Sequence, residues 1–480
     1  MDTYFFNYND AYNEAKKQNT FGIFNNLQIC YYNGEINEQT PYQNLIPLPI
    51  DKICDYMMET PNRMIQNIKF DDNFNEDQQH QIASYIDQLQ QIAAYKKTEL
   101  GNQYRELIKN QVPDFNEPWR ILFLTTRGTT VLQYVAKNLA DAFNDLGYNT
   151  FISIEENAMQ NWGGNDSPNN AYFAWHLKNI YEYNPHIIFN LDWINNTFLN
   201  DSVFNFVWFQ DPMPVLYNNE KIVLRERDFI FYLFDEYKNA LIDKKVCNTK
   251  LVYQTFCTNP KIFFENTSIQ REEKIVFLGS DYDYYGYDIT CGEYPNLSNM
   301  LQDMINLIEQ GNLTLETIKE LSSKYNIPYV WARNEIAGTL VRKEVVKWIC
   351  KQNILPVEIY GTDDWLKIPE VAPYYKGLLP YGEKMAEVYN SAKYALVAGI
   401  NSMYQQRLCE ISACNTIPLV YHGFTQEEFL HFDNIVKFST YKEMMQCIGK
   451  KPKKSPKQIS EDISYEKMAI KIIDIVKQNV

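Results

Sequence analysis

The stretch that decides the fold is ILFLTTRGTTVLQYVAKNLADAFNDLGYNTFISI, residues 121–154. Its first six residues are apolar or β-branched and show no alternation with charged residues, the mark of a short strand covered on both faces. RGTT then breaks the run. Gly128 permits close backbone approach, and Thr129 and Thr130 can cap a following helix. VLQYVAKNLADAFNDLG reads as that helix, ending at Gly147. TFISI is a second buried strand. Strand, loop, helix and strand make one βαβ unit, and such units belong to parallel sheets.

Outward from this unit the rhythm repeats. A helix around AYFAWHLKNIYEYN leads to the strand HIIFNLD, and FNFVWFQD, FIFYLFD and KLVYQTF are further strands. KIVFLGS, ending in Gly279, restarts the pattern. A helical stretch from Leu297 to Tyr325 follows, then strand-like YVWA, the helix RNEIAGTLVRKEVVKWICKQN and the strand VEIYG. EKMAEVYNSA is a helix, YALVAG a strand, QRLCEISAC a helix that stops at Asn415, and IPLVY and DNIVKF are the last strands. The expected fold is α/β, with two tandem doubly wound (Rossmann-like) domains at 118–268 and 269–450. Their strand ends are expected to face a shared cleft, where open α/β sheets bind ligands. Residues 1–117 read as a mainly helical extension. Within it, Ile82, Tyr85, Leu89 and Ile92 recur at helical spacing over 76–110. That long helix either packs on the main body or pairs with a second copy in a homo-oligomer. Residues 451–480 read as a linker and a C-terminal helix.

Composition narrows the function. The chain has 480 residues, 45% of them hydrophobic, and a net charge of -15. That length suits more than one core. That charge argues against nucleic acid as a partner, because phosphate backbones need a basic surface. Nine scattered cysteines without a CxxC pair read as reduced thiols of a cytoplasmic protein, and no metal is expected. The first residues contain no basic region followed by a long apolar run, so no secretory leader is expected. KKPKKSPK at 450–457 reads either as a solvated linker or as a contact with an anionic membrane surface.

Two loops suit an anion at the start of a helix. One is RGTT. The other is INSMYQQR, where Gly399 turns the chain and Asn401 and Ser402 can cap the next helix. There Glu410 either lies on a solvated face or reaches a ligand, and Arg407 either meets phosphate or pairs with Glu410. DYDYYGYD at 281–288 contains the DxD of metal-dependent transferases, but so short a motif reads better as a loop at the ligand edge. His176 and His186 read as structural. GxGxxG, P-loop and GxSxG motifs are all absent from the sequence.

VYNSAKYALVAGINSMYQQRLCEISACNTIPLV, residues 388–420, resembles the second domain of GT-B glycosyltransferases, especially the spore-protein CgeB-like branch. The match lies in Tyr389-Asn390-Ser391, Arg407, Glu410 and Ala413-Cys414. VWFQDPMP and VYQTFCTNPKIFF resemble strands of the same family more weakly. Two departures stand out: Asn415 replaces a glycine, and Ser402 replaces a second glutamate that contacts the donor sugar in many retaining relatives. The resemblance implies a glycosyltransferase that takes a nucleotide-sugar donor and a glycan, lipid-linked or protein acceptor in bacterial surface or protein glycosylation, with no cofactor. It implies a donor site at Glu410, Arg407, the amides of Ser402, Met403 and Tyr404, Asn401, Arg333 or Arg342, Gly128 and Gly279. Asp211, then Asp192, are the candidate bases. A GT-B nucleotide-sugar epimerase and a non-catalytic GT-B binding module are the alternatives.

Overall fold

The computed structural model describes residues 2–18, 29–35, 39–60, 65–126, 130–155, 173–281, 294–399, 403, 405–423 and 429–480. The chain divides into two compact units, Met1–Tyr253 with Ala469–Val480, and Gln254–Met468. The division falls ahead of the expected 268/269 boundary. Residues after Tyr253 are tied into the second unit: Cys409 Sγ donates to the Phe256 carbonyl, and Asn390 holds both Phe264 and Asn266. The helix Tyr465–Asn479, expected as a tail, begins in the second unit and ends in the first.

The first unit opens with a four-stranded parallel sheet. Its strands are β1 (Thr3–Phe5), β2 (Cys30–Tyr32), β3 (Leu45–Pro47) and β4 (Asn67–Lys69), in the order β3-β2-β1-β4. This small sheet is absent from the mainly helical reading of residues 1–117. Each strand is three residues long, too short for a period of two to show. The helices Tyr8–Gln18, Ile53–Glu59 and Glu76–Lys109 account for the rest of that reading. The long helix starts at a reciprocal cap between Asn75 and Gln78. It packs within its own unit. A Cβ on Gly101 would stand 3.2 Å from Cβ of Ala174, so glycine lets the helix approach the helix Ala174–Tyr183 closely. Arg105 lies over the rings of Phe173 and Phe198.

The next six strands are β5 (Arg120–Thr126), β6 (Asn149–Glu155), β7 (Ile187–Leu191), β8 (Phe204–Phe209), β9 (Asp228–Tyr232) and β10 (Leu251–Tyr253). They form one parallel sheet in the order β10-β9-β8-β7-β5-β6. Every residue of β7, β8 and β9 is buried, as their largely apolar runs predict. One charge is buried at the start of β9. Asp228 is fully shielded and accepts hydrogen bonds from Arg225 Nε at 3.0 Å, Arg225 Nη2 at 2.6 Å, the Arg225 amide at 2.7 Å and Asn196 Nδ2 at 2.6 Å. Arg225 and Asn196 also line a cavity of about 470 Å³ with Lys109, Asn200 and Val223. His186 is structural: its Nδ1 accepts from the Arg120 amide at 3.0 Å and its Nε2 donates to the Asp114 carbonyl at 2.8 Å. His176 is buried against Ser153 Oγ at 2.7 Å, and burial pushes its pKa down to about 3.

The second unit holds β11 (Glu272–Leu278), β12 (Val357–Tyr360), β13 (Tyr375–Gly377), β14 (Ala392–Val397), β15 (Ile417–Tyr421) and β16 (Val436–Phe438). All pairs are parallel, in the order β13-β12-β11-β14-β15-β16. The three-residue β13 is not foreseen by sequence. The stretch 297–325 is two helices, because Gly311 takes φ 71° and Thr314 with Thr317 caps a new start. YVWA is helical: Tyr329–Trp331 leads through a π-helical segment, Ala332–Ala337, into Gly338–Lys351. Asn415 ends the helix Gln406–Ala413 with φ 52°, as the sequence implies. Among the described residues the cysteines are free, and all but Cys247 are buried. None of the described helices is long and apolar enough to cross a membrane.

Candidate functional site

In each six-stranded sheet the chain adds strands to one side and then reverses. The loops after the two strands at the reversal part company and leave room for a ligand. In the second unit that point lies between β11 and β14. Gly279 follows β11 and Gly399 follows β14, just ahead of the helix Gln406–Ala413.

Gly279 is held on both sides. Its amide donates to the Tyr360 carbonyl at 2.8 Å, and its carbonyl accepts from Trp365 Nε1 at 2.7 Å. A Cβ there would stand 2.6 Å from Arg407 Nη2 and 3.2 Å from the Phe277 ring. Glycine therefore lets the Arg407 guanidinium lie against the end of β11. Arg407 also stacks over Phe277, with Cζ 5.3 Å from the ring centroid. Its Nη1 reaches Gln405 Oε1 at 3.4 Å, and its Nε is buried without a hydrogen-bond partner. A guanidinium offers five donors, so this one has capacity for an anion. Arg342 joins the two loops: its Nη1 donates to the Ser280 carbonyl at 2.9 Å, and its Nη2 lies 3.9 Å from where a Cβ on Gly399 would stand. Lys343 pairs with Asp281 at 3.6 Å, both nearly buried.

Glu410 is 3% exposed, which removes the solvated-face reading. Its Oε1 accepts from Gln406 Nε2 at 2.9 Å, and that amide also reaches the Tyr381 hydroxyl at 3.1 Å. Burial pushes its pKa up from 4.5 to about 7, with Arg407, Gln406 and Tyr381 pulling in the opposite direction. The folded state therefore prefers the protonated acid. That preference is fully present below about pH 4.5 and is lost as pH rises through about 7. Thermal unfolding should show stability falling across this window, and Glu410→Gln should flatten that fall. An unchanged pH slope in the variant would assign the titration elsewhere.

The structure thus brings Gly279, Arg342, Arg407 and Glu410 to one edge of one sheet. Arg333 is not on a helix surface: it sits in the π-helical segment ahead of the Arg342 helix, 1% exposed, with Nη1 on Asn334 Oδ1 at 2.9 Å. Met403 is buried. Gly128, Asn401, Ser402 and Tyr404 lie outside the described residues, as does 282–288 of the DYDYYGYD loop. In the resemblance motif, Asn390 is a structural joint. Its Oδ1 accepts from the Asn266 amide, and its Nδ2 donates to the Phe264 and Ala386 carbonyls. Sequence reasoning missed Phe277, Trp365, Tyr381, Gln405 and Gln406. Only the last two carried a signal, as neighbours of Arg407.

In the first unit the reversal lies between β5 and β7. Asp192 follows β7 with φ 64° and is 2% exposed. Its Oδ1 accepts from the amides of Gln210 at 2.6 Å and Asp211 at 3.1 Å, so it fastens the turn after β8. Burial and the nearby charge of Asp211 hold its pKa well above the usual carboxylate range. Asp211 is the exposed member of the two.

No protein-family model and no curated protein matches the chain. Solved structures of similar shape do exist. Sucrose-phosphate synthase from Thermosynechococcus elongatus aligns over 75% of this chain and 98% of its own, with 9% identity and a TM-score of 0.47. HepE from Anabaena, solved in complex with UDP-glucose, aligns over 75% and 100%, with 7% identity and a TM-score of 0.45. A glycosyltransferase involved in avilamycin A biosynthesis aligns over 74% and 96%, with 11% identity and a TM-score of 0.41.

Proposed function

We propose that this protein is a glycosyltransferase whose second unit binds the nucleoside diphosphate of a sugar donor between β11 and β14. The observation that carries this reading is the Arg407 guanidinium, seated on Gly279 at the strand reversal with its Nε unmatched. Arg342 stands over the same loops. Departure of the sugar leaves negative charge on the diphosphate, and fixed cations at that point stabilise it. Glu410 lies one helical turn beyond Arg407, where a carboxylate can accept hydrogen bonds from the two ribose hydroxyls. The segment resembling GT-B donor domains supports the same assignment. The acceptor is a glycan, lipid-linked or protein hydroxyl. Asp211, exposed at the end of β8, is the better candidate to take its proton, because Asp192 is committed to a turn.

The test is calorimetric titration with UDP, GDP, CMP and ADP, without added metal, on the native protein and on Glu410→Ala. One nucleotide should bind, and loss of the ribose partner should weaken it by about 1–3 kcal/mol. Binding of none, or equal binding by the variant, would remove the donor-site assignment.

A further inference from the structure

We propose that the second unit carries a docking surface for an anionic lipid bilayer, formed by Lys450, Lys451, Lys453, Lys454 and Lys457 beside the projecting side chain of Leu430. All five lysines are exposed. Leu430 is 87% exposed, more than any other large apolar side chain among the described residues.

The lysine run is not a loose linker. The Tyr394 hydroxyl donates to the Lys450 carbonyl at 2.9 Å, Pro456 is buried, and Asn434 Nδ2 donates to the Ser455 carbonyl at 2.6 Å. The Lys454 amide donates to the Asp433 carbonyl at 2.9 Å. Asp433 stands three positions after Leu430, so these bonds fasten the lysines to the loop that projects the leucine. Among the described residues the acidic groups here are Asp433, Glu443, Glu461 and Asp462. Asp433 meets Lys453 at 3.1 Å and Lys454 at 4.0 Å, and Asp462 faces His431 and Lys467. Lys450, Lys451 and Lys457 have no carboxylate partner among the described residues. Lys437, exposed on β16, adds a further cation over the Phe432 ring at 4.1 Å.

A cluster of fixed cations stands out on a chain of net charge -15, because the lysines repel one another and the patch is opposite in sign to the chain as a whole. Its complement is a dense anionic surface. An apolar side chain beside it suits the boundary between headgroups and acyl chains better than a purely polar polyanion. The surface is separate from the proposed nucleotide site. Ser455 Oγ bonds Asn415 Oδ1, and Asn415 precedes β15, which places the run at the amino edge of the sheet, opposite the carboxyl ends of β11 and β14.

Sedimentation of the full chain with vesicles tests this. Vesicles of phosphatidylcholine mixed with phosphatidylglycerol should capture the protein, and vesicles of phosphatidylcholine alone should not. The combined Lys451→Gln, Lys453→Gln, Lys454→Gln and Lys457→Gln variant should bind at least tenfold more weakly, by the ~5-fold effect of each lysine near such a surface. Leu430→Ser should weaken binding while leaving its salt dependence intact. These positions are exposed, so circular dichroism should match the native protein. Absence of capture would overturn the proposal, as would capture that survives the lysine changes. Equal capture by Leu430→Ser, together with equal binding to heparin, would reassign the surface to soluble polyanions and overturn the bilayer.

Discussion

Trp365→Ala should lower the stability of the second unit by about 3–5 kcal/mol, the cost of emptying a buried large aromatic site. Trp365 is fully buried and meets Phe277 edge-on, with centroids 5.8 Å apart and planes at 89°. Its Nε1 also donates to the Gly279 carbonyl. The same side chain therefore packs the core and fixes the residue on which Arg407 rests. Trp365→Phe separates the two roles. It keeps much of the packing, loses the hydrogen bond, and should cost only about 1 kcal/mol of stability. Nucleotide affinity should fall in both variants. Urea unfolding measures the first effect and calorimetric titration the second. Native affinity in Trp365→Phe would show that Gly279 needs no such anchor.

Asp228→Ala should destabilise the first unit by a comparable ~3–5 kcal/mol. Packing contributes little here, because aspartate is small. The penalty comes from Arg225, whose side chain is only 13% exposed and loses its carboxylate partner at 2.6 Å. Breaking one half of a buried pair strands the other charge away from water. Replacing both partners should therefore be milder than replacing one. Asp228→Ala combined with Arg225→Met should recover much of the lost stability in urea unfolding. A double variant worse than the single one would mean that the hydrogen bonds from Arg225 to the Asn200 and Val203 carbonyls matter more than the ion pair.

The two large sheets were legible because β7, β8 and β9 are apolar but for Asn190, Asn205 and Asp228, and such runs have few alternatives to a covered parallel sheet. The small first sheet was not, because three residues carry no periodicity. YVWA misled because β-branched and aromatic residues favour strands only when a sheet is there to receive them. Pro328 instead sets the backbone for a helix start. At the candidate site, Arg407 and Glu410 stood out as charges inside an apolar helix. Trp365 and Phe277 did not, since their importance lies in touching Gly279 and Arg407 across the sheet, a relation that spacing along the chain does not express.

The return of Ala469–Val480 to the first unit has a consequence for biosynthesis. Lys471 Nζ donates to the Tyr253 carbonyl, at the end of β10, the edge strand of the first large sheet. A ribosome finishes β10 long before it makes Lys471, because all of Gln254–Met468 intervenes. The first unit therefore waits with an incomplete flank while the second is synthesised, and a nascent chain halted at Met468 would expose the place where that helix belongs. Holdase chaperones should favour that stalled intermediate over the released protein.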